Sequence, residues 1–261
     1  MLTASVACAV LGIGVGTVPF VPASYLQPIV ERASAGRMVF AEANGTIWNG
    51  SARIAFASGG KTEARRYAAL PGPVAWKVLD LGVAPPRLSL RLSGSELFDT
   101  PFTLNFSSRS GHISPGRVRL PAELLEAVGA PFNTLKPGGA VTAQWDAITW
   151  AASTDAGNTT GRSMNGTITL DWSNVRSALS PIAPLGAYRF TARLDTNLVA
   201  FDLATREGPL MLSGTGRWTA AEGTQFRGEA KAAEGREAEL APLISMLGPV
   251  RNGAAQLRLG S

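Results

Sequence analysis

The sequence predicts an all-β protein, mainly antiparallel and built as a curved extended sheet or a sandwich, with an N-terminal transmembrane helix and a few short helices. Many short runs alternate apolar and polar residues, which is the period of a half-buried strand. Only 16% of the 261 residues are charged, whereas 29 are Gly and 17 are Pro. This composition is typical of a chain with many tight turns. Asn-Gly pairs, the strongest short-range hairpin signal, flank some of the alternating runs.

The chain starts with an apolar segment. Residues 2–21 have no charged side chain and reach the length of about 20 residues that a helix needs to cross a bilayer. We expect residues 1–22 to form an uncleaved transmembrane anchor. The alternative is a signal peptide, because Val21-Pro22-Ala23 resembles a small-residue cleavage site. Cys8 is the single cysteine and excludes an intramolecular disulfide.

Residues 23–36 are predicted to form a juxtamembrane helix or linker. Leu26, Ile29 and Val30 fall at helical spacing, and Gly36 stands where a C-terminal cap is expected.

The clearest strand signal is residues 44–56. Two Asn-Gly pairs bracket Thr46-Ile47-Trp48, and apolar side chains then alternate from Ala52 to Phe56. We predict a strand, an Asn-Gly turn and a second strand, with Trp48 packed on a sheet face. The tetrapeptide Asn44–Ile47 returns as Asn165–Ile168. The echo suggests that a β-domain of residues 37–261 contains two related halves, 37–152 and 163–261, joined by a polar exposed loop at 153–162.

The remaining strands and helices are predicted from the same strand alternation and helical spacing. Alternating runs predict strands at 74–79, 87–93, 102–107, 112–120, 141–150, 164–172, 188–194, 198–203, 210–218, 226–232 and 256–259. Pro121–Val128 is predicted as a helix, because proline suits a first turn and Gly129 can cap the end. Glu237–Leu247 is predicted as a second helix that Gly248 and Pro249 stop. No strand–helix alternation favours a parallel sheet.

The sequence predicts no catalytic, cofactor-binding or metal-binding residue, and therefore no enzyme. His112 is the single histidine, no G-x-S-x-G elbow supplies a nucleophile, and clusters of His and Cys are excluded by their counts. A carboxylate pair stays open, although the acidic residues are scattered. The net charge of +5 is spread as single arginines without a basic face, so no nucleic acid is expected as a partner. Packing explains the six Trp residues better than a stacking platform for sugars or bases.

Several short motifs, in their order and spacing, resemble the type II secretion system protein N family. The motifs follow the N-terminal apolar segment and lie at 44–52, 74–76, 120–125, 184–189, 214–218 and 235–243. The resemblance covers essentially the whole chain. One departure is the lack of a charged stub before the apolar segment. The predicted fold also resembles, more distantly, AsmA-like proteins with long antiparallel sheets.

The resemblance implies a single-pass inner-membrane protein with its β-domain in the periplasm. It implies a non-enzymatic accessory role in exporting folded proteins from the periplasm across the outer membrane. Its partners would be the inner membrane and other type II secretion system components, and it brings no cofactor and no catalytic residue. The AsmA likeness implies the alternative, a lipid-binding or lipid-transfer module that uses an apolar groove of the sheet.

Overall fold

The computed structural model describes residues 20–58, 66–128, 135–155 and 158–260. They form one sheet of antiparallel strands. The first strands are β1 (Met38–Gly45), β2 (Asn49–Ser58), β3 (Arg66–Ala69), β4 (Val74–Val83), β5 (Pro86–Ser93), β6 (Phe102–Ser107), β7 (Ser110–Ile113) and β8 (Gly116–Pro121). The later ones are β9 (Pro137–Trp145), β10 (Ile148–Asp155), β11 (Asn158–Ser177), β12 (Gly186–Thr196), β13 (Leu198–Glu207), β14 (Leu210–Thr219), β15 (Gly223–Ala232), β16 (Val250–Arg251) and β17 (Ala254–Leu259).

The strands follow one another across the sheet almost in chain order. β1 pairs with one edge of β2, and β3 and β4 both pair with the other edge of β2. β4 then pairs with β5, β5 with β6, and β6 with β7. β7 pairs with β10, and β11 leads on through β12, β13, β14 and β15 to β17 and β16. Among the described residues no ladder joins β1 to β16, so the sheet is open. The prediction of an all-β, mainly antiparallel fold is confirmed, and the strands belong to one sheet.

The middle of the sheet is built on the long strand β11. One edge of β11 pairs with both β10 and β9, and the other edge pairs with β12. β8 pairs in turn with β9. The N-terminal and C-terminal parts of the chain therefore belong to one continuous sheet.

Short helices cover parts of one face. A 3-10 helix at Ala23–Tyr25 leads into α1 (Leu26–Ala33), and the chain leaves α1 through Gly36 at φ 74°. A second 3-10 helix spans Ala122–Val128, where a helix is predicted, and α2 spans Glu237–Leu247 as predicted. α2 buries Leu240, Leu243 and Ile244 against the end of the sheet.

Aromatic rings lie over glycines on the neighbouring strand. Gly50 pairs with Trp76 and Gly116 with Trp145. A β-carbon on Gly50 would lie 2.7 Å from the Cζ2 atom of Trp76, and one on Gly116 would lie 2.5 Å from that of Trp145. The absent side chain is what lets each ring lie this close to the backbone of the neighbouring strand, as designed sheets also exploit.

The first hairpin forms as predicted, but its turn does not. β1 and β2 pair up to Gly45 and Gly50, so the turn is Thr46-Ile47-Trp48 and the Asn-Gly pairs flank it. The Thr46 N–H donates to the Asn49 C=O at 2.9 Å, and Trp48 lies half-buried in the turn instead of in a strand. The second copy, Asn165–Ile168, lies inside β11 without any turn.

Other boundaries also differ from the prediction, and the predicted strand 112–120 is divided into β7 and β8. The polar stretch 153–162 continues β10 and β11 almost to their junction, with Asp155 opposite Asn158. Small polar residues are compatible with a ladder when both neighbours are strands, so composition alone misplaces this loop. The run 141–150 is divided into β9 and β10 at residues 146–147, where the ladder with β7 and β8 is interrupted as well.

The predicted transmembrane anchor lies outside the described residues, apart from its last three. Within residues 20–58, 66–128, 135–155 and 158–260, no helix combines the length and hydropathy that crossing a bilayer requires.

Tyr188 supplies the polar contact inside the core beneath α2. Its hydroxyl donates to the Leu210 C=O at 2.8 Å and lies 3.3 Å from the Leu185 C=O. Burial raises the pKa of this hydroxyl above its usual range. The unfolded chain therefore loses this proton near pH 10 while the folded chain keeps it, so the stability contributed is present below pH 10 and falls as the pH rises further.

We expect Tyr188→Phe to lower the free energy of unfolding by about 1 kcal/mol at pH 7, because the Leu210 C=O loses its donor. The difference from the unsubstituted protein should shrink above about pH 10, where only the tyrosine is penalised. Urea unfolding between pH 7 and pH 11 measures both effects. Parallel stability curves for the two proteins across this range would contradict the pH argument.

Candidate functional site

One face of the sheet is apolar from strand to strand. Residues directly opposite each other in a ladder point to the same face. One such row is Val118, Ala143, Leu170, Phe190, Leu203, Gly214, Gly228 and Leu257, from β8 to β17. The next is Trp145, Ile168, Ala192, Phe201, Gly216, Phe226 and Leu259. A third row, Val78, Leu90, Leu104, Ile113 and Ile148, continues the face towards the N-terminal strands.

The opposite face is polar along the same strands. Its row between the first two runs Arg117, Gln144, Thr169, Thr191, Asp202, Thr215, Arg227 and Arg258. Cross-strand ion pairs join neighbours on this face. Arg189 donates two hydrogen bonds to the Asp171 carboxylate, at 2.7 and 2.9 Å, and this contact raises the pKa of the guanidinium. The sheet is thus two-sided in the manner of an antiparallel sheet with one solvated face.

The apolar face is covered at three places. α2 packs on the cluster around Tyr188 and Leu210. The 3-10 helix Ala122–Val128 contributes Leu124 to the cluster of Leu70, Val74 and Leu97. Ala23 and Leu26 pack on Ala52 and Trp76. Each cover is small, so much of the face between them is only half-buried.

The uncovered centre of the apolar face consists largely of phenylalanine rings, which we call the aromatic row. Phe190 and Phe201 have ring centroids 5.6 Å apart, and Phe201 and Phe226 are stacked at 6.0 Å. All three side chains are half-buried. Aromatic pairs at these separations are mutually stabilising. The aromatic row therefore offers an apolar contact surface with a defined shape.

The polar face has a shallow concavity of about 500 Å³ above β13–β17. Arg227 and Arg258 face each other across the ladder, and Ser213 and Thr215 lie beside them. Asp202 also lines it and forms an ion pair with Arg193 at 3.4 Å. Charges of both signs therefore share this concavity.

The residues weighed for chemistry are spread over the sheet and take part in its pairing and packing. His112 lies half-buried in β7, between Asn105 of β6 and Thr149 of β10. Across the described parts of the chain, no three His, Cys, Asp or Glu side chains converge as metal ligands. Trp76, Trp145 and Trp172 lie against the sheet, and each indole N–H donates to a backbone carbonyl, at 2.9 to 3.2 Å.

Comparison with known proteins identifies the family. No curated protein and no solved structure is significantly similar to the chain. The family model described as "Type II secretion system (T2SS), protein N" matches residues 36–259, which begin just before β1 and end at the last residue of β17. The match therefore coincides with the whole sheet, and the resemblance seen in the short motifs is confirmed. The chain belongs to the type II secretion system protein N family.

Proposed function

We propose that the protein is a non-enzymatic accessory component of the type II secretion system that supports export of folded proteins from the periplasm across the outer membrane. Residues 1–22 anchor it in the inner membrane as a single span, and 23–36 connect the anchor to the sheet. The β-domain, 37–261, lies in the periplasm, and 37–152 and 163–261 are its related halves. Its partners are other components of the system and the inner membrane, with no nucleic acid and no cofactor.

The observation that carries this proposal is the family match over residues 36–259. A match to the entire sheet favours a role for the sheet as a whole over a role for one motif within it. The described surfaces agree with contact rather than chemistry, because an apolar face and a face of cross-strand ion pairs both suit docking of other proteins.

Affinity capture of the full-length protein from solubilised inner membranes tests the proposal. We expect it to retain at least one other type II secretion system component, and we expect deletion of its gene to lower the amount of exported protein. Restoring the gene should restore export. The proposal fails when no component is retained and the deletion leaves export unchanged.

A second candidate is the lipid-binding module, which the half-buried aromatic row favours. An accessible apolar surface of this kind can bind an acyl chain as well as a protein. Native mass spectrometry of the purified full-length protein should show a co-purifying lipid that Phe201→Asp abolishes. Thr215→Asp is the matched control, because it places the same charge on the polar face. A lipid-free spectrum of the unsubstituted protein counts against this candidate.

A further inference from the structure

Apolar side chains around the start of α1 point away from the sheet. Phe20, which is 75% exposed, and also Tyr25 and Ile29 are accessible on the surface. Tyr25 and Ile29 are four residues apart and therefore lie on one side of the helix. The other side is used for packing, since Ala23 and Leu26 contact the cluster of Ala52 and Trp76. The outward apolar side of this segment is covered by none of the described residues.

The β4–β5 hairpin carries a second exposed apolar group. The ladder between β2 and β4 ends at Asn49 and Lys77, but β4 continues to Val83. Beyond this point the described chain places no strand on that edge of β4. Leu79 and Leu81 are exposed there, and Val83 is 84% exposed. The hairpin therefore extends past the end of β2 as a projection that exposes these apolar side chains, together with an ion pair between Arg87 and Asp80.

Two backbone hydrogen bonds tie the segments that carry these groups to one corner of the sheet, the β1–β2 turn. The Ile47 N–H donates to the Val21 C=O at 3.0 Å. Trp48 follows Ile47 in the turn, and its C=O accepts from the Val78 N–H at 2.7 Å. The β1–β2 turn is therefore hydrogen-bonded both to Val21, which follows Phe20, and to Val78, where β4 begins to extend past β2.

The chain that precedes Phe20 identifies what this corner contacts. Residues 2–19 contain no charged side chain, and together with the next residues they have the length of a membrane span. The described structure begins where this apolar run ends. A tyrosine at such a boundary is typical of membrane interfaces, because its ring and hydroxyl prefer different depths.

The projecting hairpin has the chemistry of a segment that can enter the interface. Pro85 in its turn and Pro86 at the start of β5 have no N–H group, so few backbone donors lose water there. Arg32 and Lys77 are exposed near the two apolar groups. Their long side chains can reach the phosphates of anionic lipids.

We propose that Phe20, Tyr25, Ile29, Leu79, Leu81 and Val83 form a membrane-seating surface that rests in the headgroup region of the bilayer. The surface fixes how the sheet stands on the membrane, whereas an anchor alone leaves it free to swing. This inference rests on the membrane attachment in the proposed function.

The test uses the full-length chain with Cys8→Ser and one new cysteine that carries the environment-sensitive fluorophore NBD. The labelled variants are Val83→Cys, Ile29→Cys and, as a matched exposed control on α2, Met246→Cys. A fourth variant, Val18→Cys, reports on membrane attachment itself. Each is reconstituted in vesicles of phosphatidylethanolamine and phosphatidylglycerol that contain spin-labelled lipids.

We expect the spin-labelled lipids to quench NBD at positions 83 and 29 several-fold more than at position 246. Leu81→Asp in the Ile29→Cys chain should reduce the quenching at position 29. One outcome overturns the seating surface but leaves the membrane attachment intact. In it, NBD at position 18 is quenched, but NBD at positions 83 and 29 is quenched no more than at position 246. An absence of quenching at position 18 contradicts the attachment. Blue-shifted emission at position 83 without lipid quenching means that protein covers the surface, which also overturns the inference.

Discussion

Replacing Leu240 with Ala is expected to lower the free energy of unfolding by about 2–5 kcal/mol. Leu240 of α2 is 0% exposed and packs in the cluster with Leu210, Ala230 and Ala255. The loss combines the transfer free energy of the removed carbons with the cavity that they leave. Because folded domains are stable by only about 5–15 kcal/mol, this one change removes a large share of the total. Urea denaturation followed by circular dichroism measures it.

Met246→Ala is the matched control, since Met246 lies on the same helix but is exposed. Its expected effect is within about 0.5 kcal/mol. Equal losses in the two variants would contradict the burial explanation, because Ala is the better helix former and neither change can lose stability through helix propensity.

Gly208→Ala is expected to destabilise the protein by about 2–4 kcal/mol, through a steric clash and an unfavourable backbone conformation. Gly208 lies between β13 and β14 at φ 112°. A β-carbon there would lie 2.7 Å from the Leu185 O and 3.0 Å from the Gly186 N. These are backbone atoms at the start of β12, which cannot move aside as the end of a side chain can.

Gly223→Ala separates the two causes. Gly223 also has a positive φ, 70°, but nothing lies within 4 Å of where its β-carbon would stand. It should cost only about 1 kcal/mol, the conformational part of the effect. Thermal unfolding of both variants gives the comparison, and a Gly223 loss as large as that of Gly208 would refute the close-packing explanation.

The sequence is sufficient to predict what depends on local pattern. Alternation places Phe190, Phe201 and Phe226 in strands, and helical spacing places Leu240 on the buried side of α2. These predictions succeed because strand and helix periods are set by the backbone geometry of neighbouring residues. The family resemblance rests on motifs of the same local kind.

The structure is needed for what depends on register between distant strands. The aromatic row exists because Phe190, Phe201 and Phe226 come to adjacent positions on three strands, and no single strand reveals that alignment. The Asn-Gly prediction fails for a related reason. Gly50 is occupied in receiving the ring of Trp76, a contact from another strand, so the turn moves to residues 46–48.

The pairing of successive strands also has a consequence for how the chain is made. From β11 to β15, each strand pairs with the one synthesised immediately before it. Such a strand can dock as soon as it emerges, with no long loop to close. β8 is different, because its ladder partner β9 comes only after the 3-10 helix, as does β10, the second partner of β7 after β6. A nascent chain that stops before β9 therefore exposes unpaired edges, whereas one that stops after β12 has already completed its centre.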